Sequence, residues 1–125
     1  MNIKIGTDIC LVTRISAAYT RFGDRFLDRI LTPAERSYVS SHPALLSKRL
    51  AGRFAVKEAA SKVLGTGWRG VGWREIEVVK ERSGAPRLQL HGRAAALADQ
   101  LGLKNWQVTL SHDGDYAQAF VLAHD

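Results

Sequence analysis

Along residues 2 to 11 apolar and polar positions alternate: Ile3, Ile5, Thr7, Ile9 and Leu11 fall on one side of an extended chain, Asn2, Lys4, Gly6, Asp8 and Cys10 on the other. A period of two predicts a strand with one buried face, the apolar row, from which Asp8 points away. The period then changes. Ile15, Ala18, Phe22, Phe26 and Ile30 recur at helical spacing, with Arg14, Arg21 and Arg25 on an adjacent stripe and Arg29 close by. This predicts an amphipathic helix over 15–30 with a basic shoulder and a place to bend at Gly23. Thr32, Pro33 and Glu35 have the form of a capping box with Pro at the first helical position, so a short helix follows. After Ser41-His42-Pro43 a longer helix is expected from about Ala44 to Leu64, stopped by Gly65, where a left-handed cap is easiest for glycine. Its Ala51, Ala55, Ala59 and Val63 form a small-residue stripe suited to close packing.

Residues 75–80 and 87–90 read as two strands joined by a turn at Ser83-Gly84-Ala85-Pro86. A helix from about Gly92 to Leu101, ending at Gly102, comes next. The segments 106–111 and 116–124 then read as a hairpin across His112-Asp113-Gly114-Asp115. The order strand, helices, two strands, helix, two strands predicts an α+β fold, a mostly antiparallel sheet packed with a long helix. No repeat, low-complexity tract or linker interrupts it, and 125 residues suit one domain over 1–125.

Composition adds one unusual feature. The 18 Lys and Arg against 12 Asp and Glu give a net charge of +6, which favours an anionic partner: nucleic acid, a phosphate-rich small molecule or an acidic protein. Arginine supplies two-thirds of the positive charge, and its planar fork suits phosphate and carboxylate. The single cysteine, Cys10, excludes an internal disulfide and a cysteine-cluster metal site. The opening MNIKIGTD lacks the apolar stretch of a signal peptide, and no run reaches the roughly 18 apolar residues of a membrane span, so a cytoplasmic protein is expected.

Two motifs tempt and fail. GTGWRG at 65–70 has the letters of a dinucleotide-binding loop, but a helix precedes it and a strand is expected after it, the reverse of what that loop requires. Ser111, His112 and Asp113 contain the residue types of a hydrolytic triad, yet consecutive residues at a strand end point in different directions. His112 is then a turn residue or a phosphate contact. RFAVKEAASK at 53–62 is more informative. On a helix Phe54, Glu58 and Lys62 lie in one row, beside a row of Arg49, Arg53, Lys57 and Ser61. Taken alone, Glu58 and Lys62 are an exposed pair worth a few tenths of a kcal/mol, roughly. Asp8 adds a second carboxylate from a separate element, and two carboxylates completed by water and phosphate oxygens are how Mg²⁺ is usually held.

Three blocks, in this order, carry a resemblance: GTDIC followed by Arg14-Ile15, then RFAVKEAASKVLGTG, then SHDGDYA. They match Gly-x-Asp, aromatic-x-x-Lys-Glu-Ala-x-x-Lys and Ser-His-x-x-x-Tyr-Ala, and together the chain resembles the holo-acyl-carrier-protein synthases, the small class of 4′-phosphopantetheinyl transferases. Phe54 stands where many relatives carry Trp. The resemblance implies transfer of phosphopantetheine from coenzyme A to a serine of apo-acyl carrier protein, with release of adenosine 3′,5′-bisphosphate, in support of fatty acid biosynthesis. It implies that Asp8 and Glu58 ligate Mg²⁺, that Lys62 contacts the phosphates, and that Glu58 or a metal-bound water accepts the serine proton. Arg49, Arg53, Lys57, Ser61, Gly65, Pro86 and His112 are implied for the coenzyme A pocket, and Arg14, Arg21 and Arg25 for docking the acidic carrier protein. The small class resembles a homotrimer with sites at subunit interfaces.

Two other classes compete. A small basic nucleic-acid-binding protein would suit the charge, but the aromatics are scattered along the chain rather than gathered on one strand as a base-stacking platform needs. An interaction module without chemistry would leave Asp8 and Glu58 as surface charges. The expectation is therefore an enzyme, with no nucleic acid and no membrane among its partners.

Overall fold

The computed structural model describes residues 1–125. Strand β1 (Ile3–Leu11) runs straight into α1 (Val12–Phe22), and α2 (Asp24–Ile30) follows after Gly23, whose φ of 62° turns the chain where the pattern left room for a bend. Next, α3 (Pro33–Ser40) opens with the expected capping box: the Thr32 hydroxyl accepts from the Glu35 N–H, and the Glu35 carboxylate accepts from the Thr32 N–H. The long helix begins as a 3-10 turn at Pro43–Leu45, continues as α4 (Leu46–Leu64) and ends on Gly65 at φ 82°. Beyond a loop come β2 (Ile76–Lys80), β3 (Pro86–Leu90), α5 (Gly92–Gln100), β4 (Asn105–Asp113) and β5 (Tyr116–His124). The class is α+β, as expected, with the strands in two antiparallel sheets, β1-β5-β4 and β2-β3, rather than one.

Helix α4 lies across the inner face of the three-stranded sheet and is buried on nearly every side. Ala51, Ala55, Ala59 and Val63 meet the sheet, where Ala117, Ala119, Val121 and Ala123 of β5 face inward; Val39, Ile76 and Val78 belong to the same core. A helix surrounded by protein needs no polar face, which is why α4 lacks the one-sided pattern of a surface helix. No helix of the chain is long and apolar enough to cross a membrane.

The structure reverses one expectation. The apolar row of β1 is not in the core: Ile3, Ile5 and Ile9 are 52%, 61% and 59% exposed, while Gly6 and Cys10 are buried. The cause is the backbone. A Cβ on Gly6 would sit far inside van der Waals contact with the Ala59 carbonyl and 3.1 Å from Val63 Cγ2, so β1 and α4 touch main chain to main chain at this residue. The even-numbered face of β1 must therefore turn to the helix. The odd row instead continues a partly apolar outer face across β5, where Tyr116 is paired with Leu11 and Phe120 with Thr7.

A second correction concerns the last hairpin. His112 and Asp113 are not turn residues; they extend β4, paired with Ala117 and Tyr116, and the turn closes at Gly114-Asp115. Asp115 ties that turn to the start of α1, accepting from the Val12 N–H at 2.8 Å and from the Thr13 hydroxyl at 2.7 Å.

Gly6→Ala should cost about 3 kcal/mol or more, because the colliding atom is helix backbone that cannot swing aside. Urea denaturation measures it; a loss below about 1 kcal/mol would show that β1 and α4 can separate without penalty.

Candidate active site

Because Gly6 faces α4, so does Asp8 two residues on, and this brings it to the helix row carrying Glu58 and Lys62. The Lys62 ammonium donates to the Thr7 carbonyl at 2.8 Å and reaches Asp8 Oδ1 at 3.4 Å. Glu58, one turn back, accepts from the Trp68 indole N–H at 3.3 Å. Cys10, on the same face of β1, registers both carboxylates. Burial first, then the charge of Asp8 and more weakly that of Glu58, push its thiol up to about 11, against Arg14. Asp8, Glu58, Lys62 and the start of the basic stripe at Arg14 thus share one neighbourhood.

These residues can be tested for what they could hold. No group of three or more His, Cys, Asp and Glu side chains is assembled anywhere, so the chain offers no closed cage of the zinc type. Two carboxylates from separate elements are the donor set of Mg²⁺, which keeps several waters and takes its remaining oxygens from phosphate. Lys62 does not neutralise the site, since its pair with Asp8 is long and the lysine side chain is 54% exposed. The residues fit the ion.

A second cluster lies further back along α4. Arg49 and Arg53 stand over the Tyr38 ring, 4.2 and 4.1 Å from its centroid, and Lys80 approaches at 5.3 Å. Arg49 also donates to the Tyr38 carbonyl and the Ser41 hydroxyl. Burial lowers the pKa of the Arg53 guanidinium, with Tyr38 and Glu35 opposing. Its buried Nε has no partner. A cleft of about 230 Å³ opens here between Tyr38, Arg53, Glu77 and Lys80. Pro86 is paired with Lys80 across the β2-β3 ladder and so borders the cluster. The sequence pattern marked the arginines but not Lys80 or Tyr38, because only the fold brings β2 and α3 against α4.

Other expected site residues are placed differently. Lys57 is wholly buried, its ammonium donating to Glu35 Oε1 at 2.8 Å, the Trp73 carbonyl at 2.9 Å and the Ile76 carbonyl at 2.5 Å. All three of its hydrogens are spent on a core ion pair and two carbonyls, leaving none for the coenzyme A contact expected of Lys57. Ser61 is buried too, with its hydroxyl on the Glu58 carbonyl at 2.7 Å. His112 meets α4 on another face, with Nε2 2.9 Å from the Lys48 carbonyl and its ring against Gly52. Gly65 caps α4 beside Lys62 in sequence and opens the loop that carries Trp68. Arg14 and Arg21 on α1 and Arg25 on α2 are exposed. Beside them a cleft of about 650 Å³ is lined by Phe22, Phe26, Ile30, Phe54 and Trp73, with Arg25 and Arg29 at its rim.

The model of the 4′-phosphopantetheinyl transferase superfamily matches residues 4–121, which takes in Asp8, all of α4 and the last hairpin as far as Val121. The chain belongs to this family. It is accordingly a transferase. Among curated relatives it is 48% identical to the holo-acyl-carrier-protein synthase of Gloeobacter violaceus, over 94% of this chain and 89% of that one. To the enzyme of the same name from Solidesulfovibrio magneticus it is 49% identical, over 94% of each. Its fold is similar to the crystal structure of holo-acyl-carrier-protein synthase from Neisseria meningitidis, with a TM-score of 0.90, 34% identity and 98% of both chains covered. The Helicobacter pylori enzyme, solved in complex with coenzyme A, gives a TM-score of 0.84 at 31% identity over 96% of this chain and 99% of that one. The Gly-x-Asp and Lys-Glu-Ala-x-x-Lys blocks of the chain are thus the segments that meet at Gly6 and Ala59, and Phe54 stacks on Trp73 at 5.1 Å.

Lys57→Met should destabilise the protein by about 3–5 kcal/mol, because it leaves the Glu35 carboxylate buried without a counter-ion. A variant that melts like the wild type while its coenzyme A KM rises would return Lys57 to the ligand site.

Proposed function

We infer that this transferase moves the 4′-phosphopantetheine group from coenzyme A to a serine hydroxyl of apo-acyl carrier protein, releasing adenosine 3′,5′-bisphosphate. The observation that carries the assignment is the convergence of Asp8, Glu58 and Lys62 on one face, in a chain whose relatives bear this activity in their names. Bound Mg²⁺, held by Asp8 and Glu58, would supply Lewis-acid polarisation of the pyrophosphate. Lys62, with an exposed ammonium already anchored on the Thr7 carbonyl, stabilises charge on the transferred phosphoryl group and on the oxygen that leaves. The Glu58 carboxylate is the acceptor this chain offers for the serine proton. Phosphoryl transfer asks for positioning and charge neutralisation, so no protein nucleophile is needed, and Cys10 is unsuited to be one, buried and held protonated.

Arg49, Arg53 and Lys80 form a second anion site further along α4, suited to the nucleotide phosphate of coenzyme A. Pro86 borders it, and Gly65 opens the loop beside Lys62. Arg14, Arg21 and Arg25 form the docking stripe for the acidic carrier protein, which steers the encounter and fixes its register. The product would supply fatty acid biosynthesis in the cytoplasm. Incubation with apo-acyl carrier protein, coenzyme A and Mg²⁺ should add the phosphopantetheine mass to the carrier protein, and Glu58→Ala should abolish the gain. An equal gain from the variant would sink the catalytic assignment. In the same assay Arg14→Glu should raise the carrier-protein KM and leave that for coenzyme A unchanged; an unaltered carrier-protein KM would remove the docking role.

The uncovered face of β1 and β5, with Ile5, Ile9, Tyr116 and Phe120, supports assembly into a homotrimer, since so much clustered apolar surface is uncommon on a monomer. Neighbouring copies would bring together residues that one chain keeps apart, His112 among them. Sedimentation equilibrium should give three times the chain mass, and Ile5→Asp should lower it; a wild-type monomer at micromolar concentration would overturn the trimer.

A further inference from the structure

Glu58 is a flexible side chain on the outward row of α4, and the helix offers its carboxylate no partner. The single side-chain hydrogen bond it receives comes from the Trp68 indole N–H, 3.3 Å from Oε1. That donor is itself fixed. Gly65 at φ 82° and Gly67 at φ 57° fold the loop after α4 back over the helix, and the Trp68 ring lies flat on Trp73 with centroids 3.7 Å apart and planes at 19°. Trp73 stacks in turn on Phe54, at 5.1 Å and 25°. Its main chain is pinned from below, because the Trp73 carbonyl accepts from the buried Lys57 ammonium. Three rings therefore run along α4 from Phe54 to Glu58, ending in an N–H aimed at the carboxylate.

We propose that Trp68 is a positioning residue for Glu58, its indole N–H holding one carboxylate oxygen so that the other is presented to the metal ion. This rests on the assignment of Glu58 as a ligand. An indole is a donor only, so it can neither coordinate the ion in place of Glu58 nor take up the substrate proton. It orients the carboxylate without competing for either task. Carboxylate ligands are commonly held by such outer hydrogen bonds, whose loss lowers metal affinity or activity by roughly 10–100-fold. The bland alternative is that Trp68 is a hydrophobic cover over Phe54 and Trp73, in which case only its ring matters.

Trp68→Phe keeps an aromatic ring in the stack and deletes the N–H. In the full chain with coenzyme A present, titration with Mn²⁺ followed by electron paramagnetic resonance of the free ion should show affinity weakened about tenfold. Trp106→Phe, at an indole that donates to the Leu103 carbonyl, should leave Mn²⁺ affinity unchanged. The Mg²⁺ concentration for half-maximal transfer should rise by a similar factor for Trp68→Phe, with little change in carrier-protein KM. Should Trp68→Phe fail to fold, 3-benzothienylalanine at position 68 keeps the bicyclic stack and removes only the donor. Wild-type Mn²⁺ affinity in either substitution, with affinity lost in Glu58→Gln, overturns the positioning role alone. Unchanged affinity in Glu58→Gln overturns the ligand assignment, and the proposal with it.

Discussion

The contact between the Gly6 backbone and the Ala59 carbonyl sets the orientation of everything around it. Strand and helix can approach so closely only where one side has no side chain and the other has small ones, which the alanine stripe of α4 provides. Once Gly6 faces the helix, strand geometry forces Asp8 and Cys10 to face it as well and turns Ile3, Ile5 and Ile9 outward. One packing event thus has two results. It delivers a carboxylate to Glu58 and Lys62, and it leaves an apolar sheet face exposed.

The two lysines of the Lys-Glu-Ala-Ala-Ser-Lys run show how neighbouring rows on one helix acquire opposite roles. Lys57 sits beneath α3 and β2, where Glu35 and two backbone carbonyls take its three hydrogens. Glu35 is shared further, capping α3 at Thr32 and accepting from the Val78 N–H. Burying such a pair adds little net stability compared with apolar packing, but removing either partner is costly. The pair therefore locks α3, α4 and β2 into a single arrangement. Lys62, five residues on, emerges half-exposed beside β1, and its charge stays available.

Much of this was legible in the chain before folding. Periodicity found the elements, the Thr32-Pro33-Glu35 box started α3, Gly23 and Gly65 marked a bend and a stop, and the three sequence blocks named the family. The face of β1 was misjudged because alternation reports which residues share a side, not which side meets the core. Here the apolar side is outside, a result that needs the Gly6 approach to explain it. The burial of Lys57 was not legible for a related reason: in a helix row of Arg49, Arg53, Lys57 and Ser61, no local signal says where the row passes beneath another element. Trp68 was invisible as a partner of Glu58 because a glycine-rich loop has no periodicity from which to place its side chains.

The charges along α4 follow an order that a single ligand would explain. Arg53 and Arg49 precede Glu58 by five and nine residues, about 8 and 14 Å at the helical rise of 1.5 Å per residue. A cation cluster and a carboxylate pair at such a spacing would be an odd way to hold one compact anion. They suit an elongated one with negative charge at both ends. Coenzyme A has this form. The buried Arg53 Nε, at the cluster end, has no partner inside the chain. The same buried helix that carries the core therefore also sets the distance between the cation cluster and the carboxylate pair.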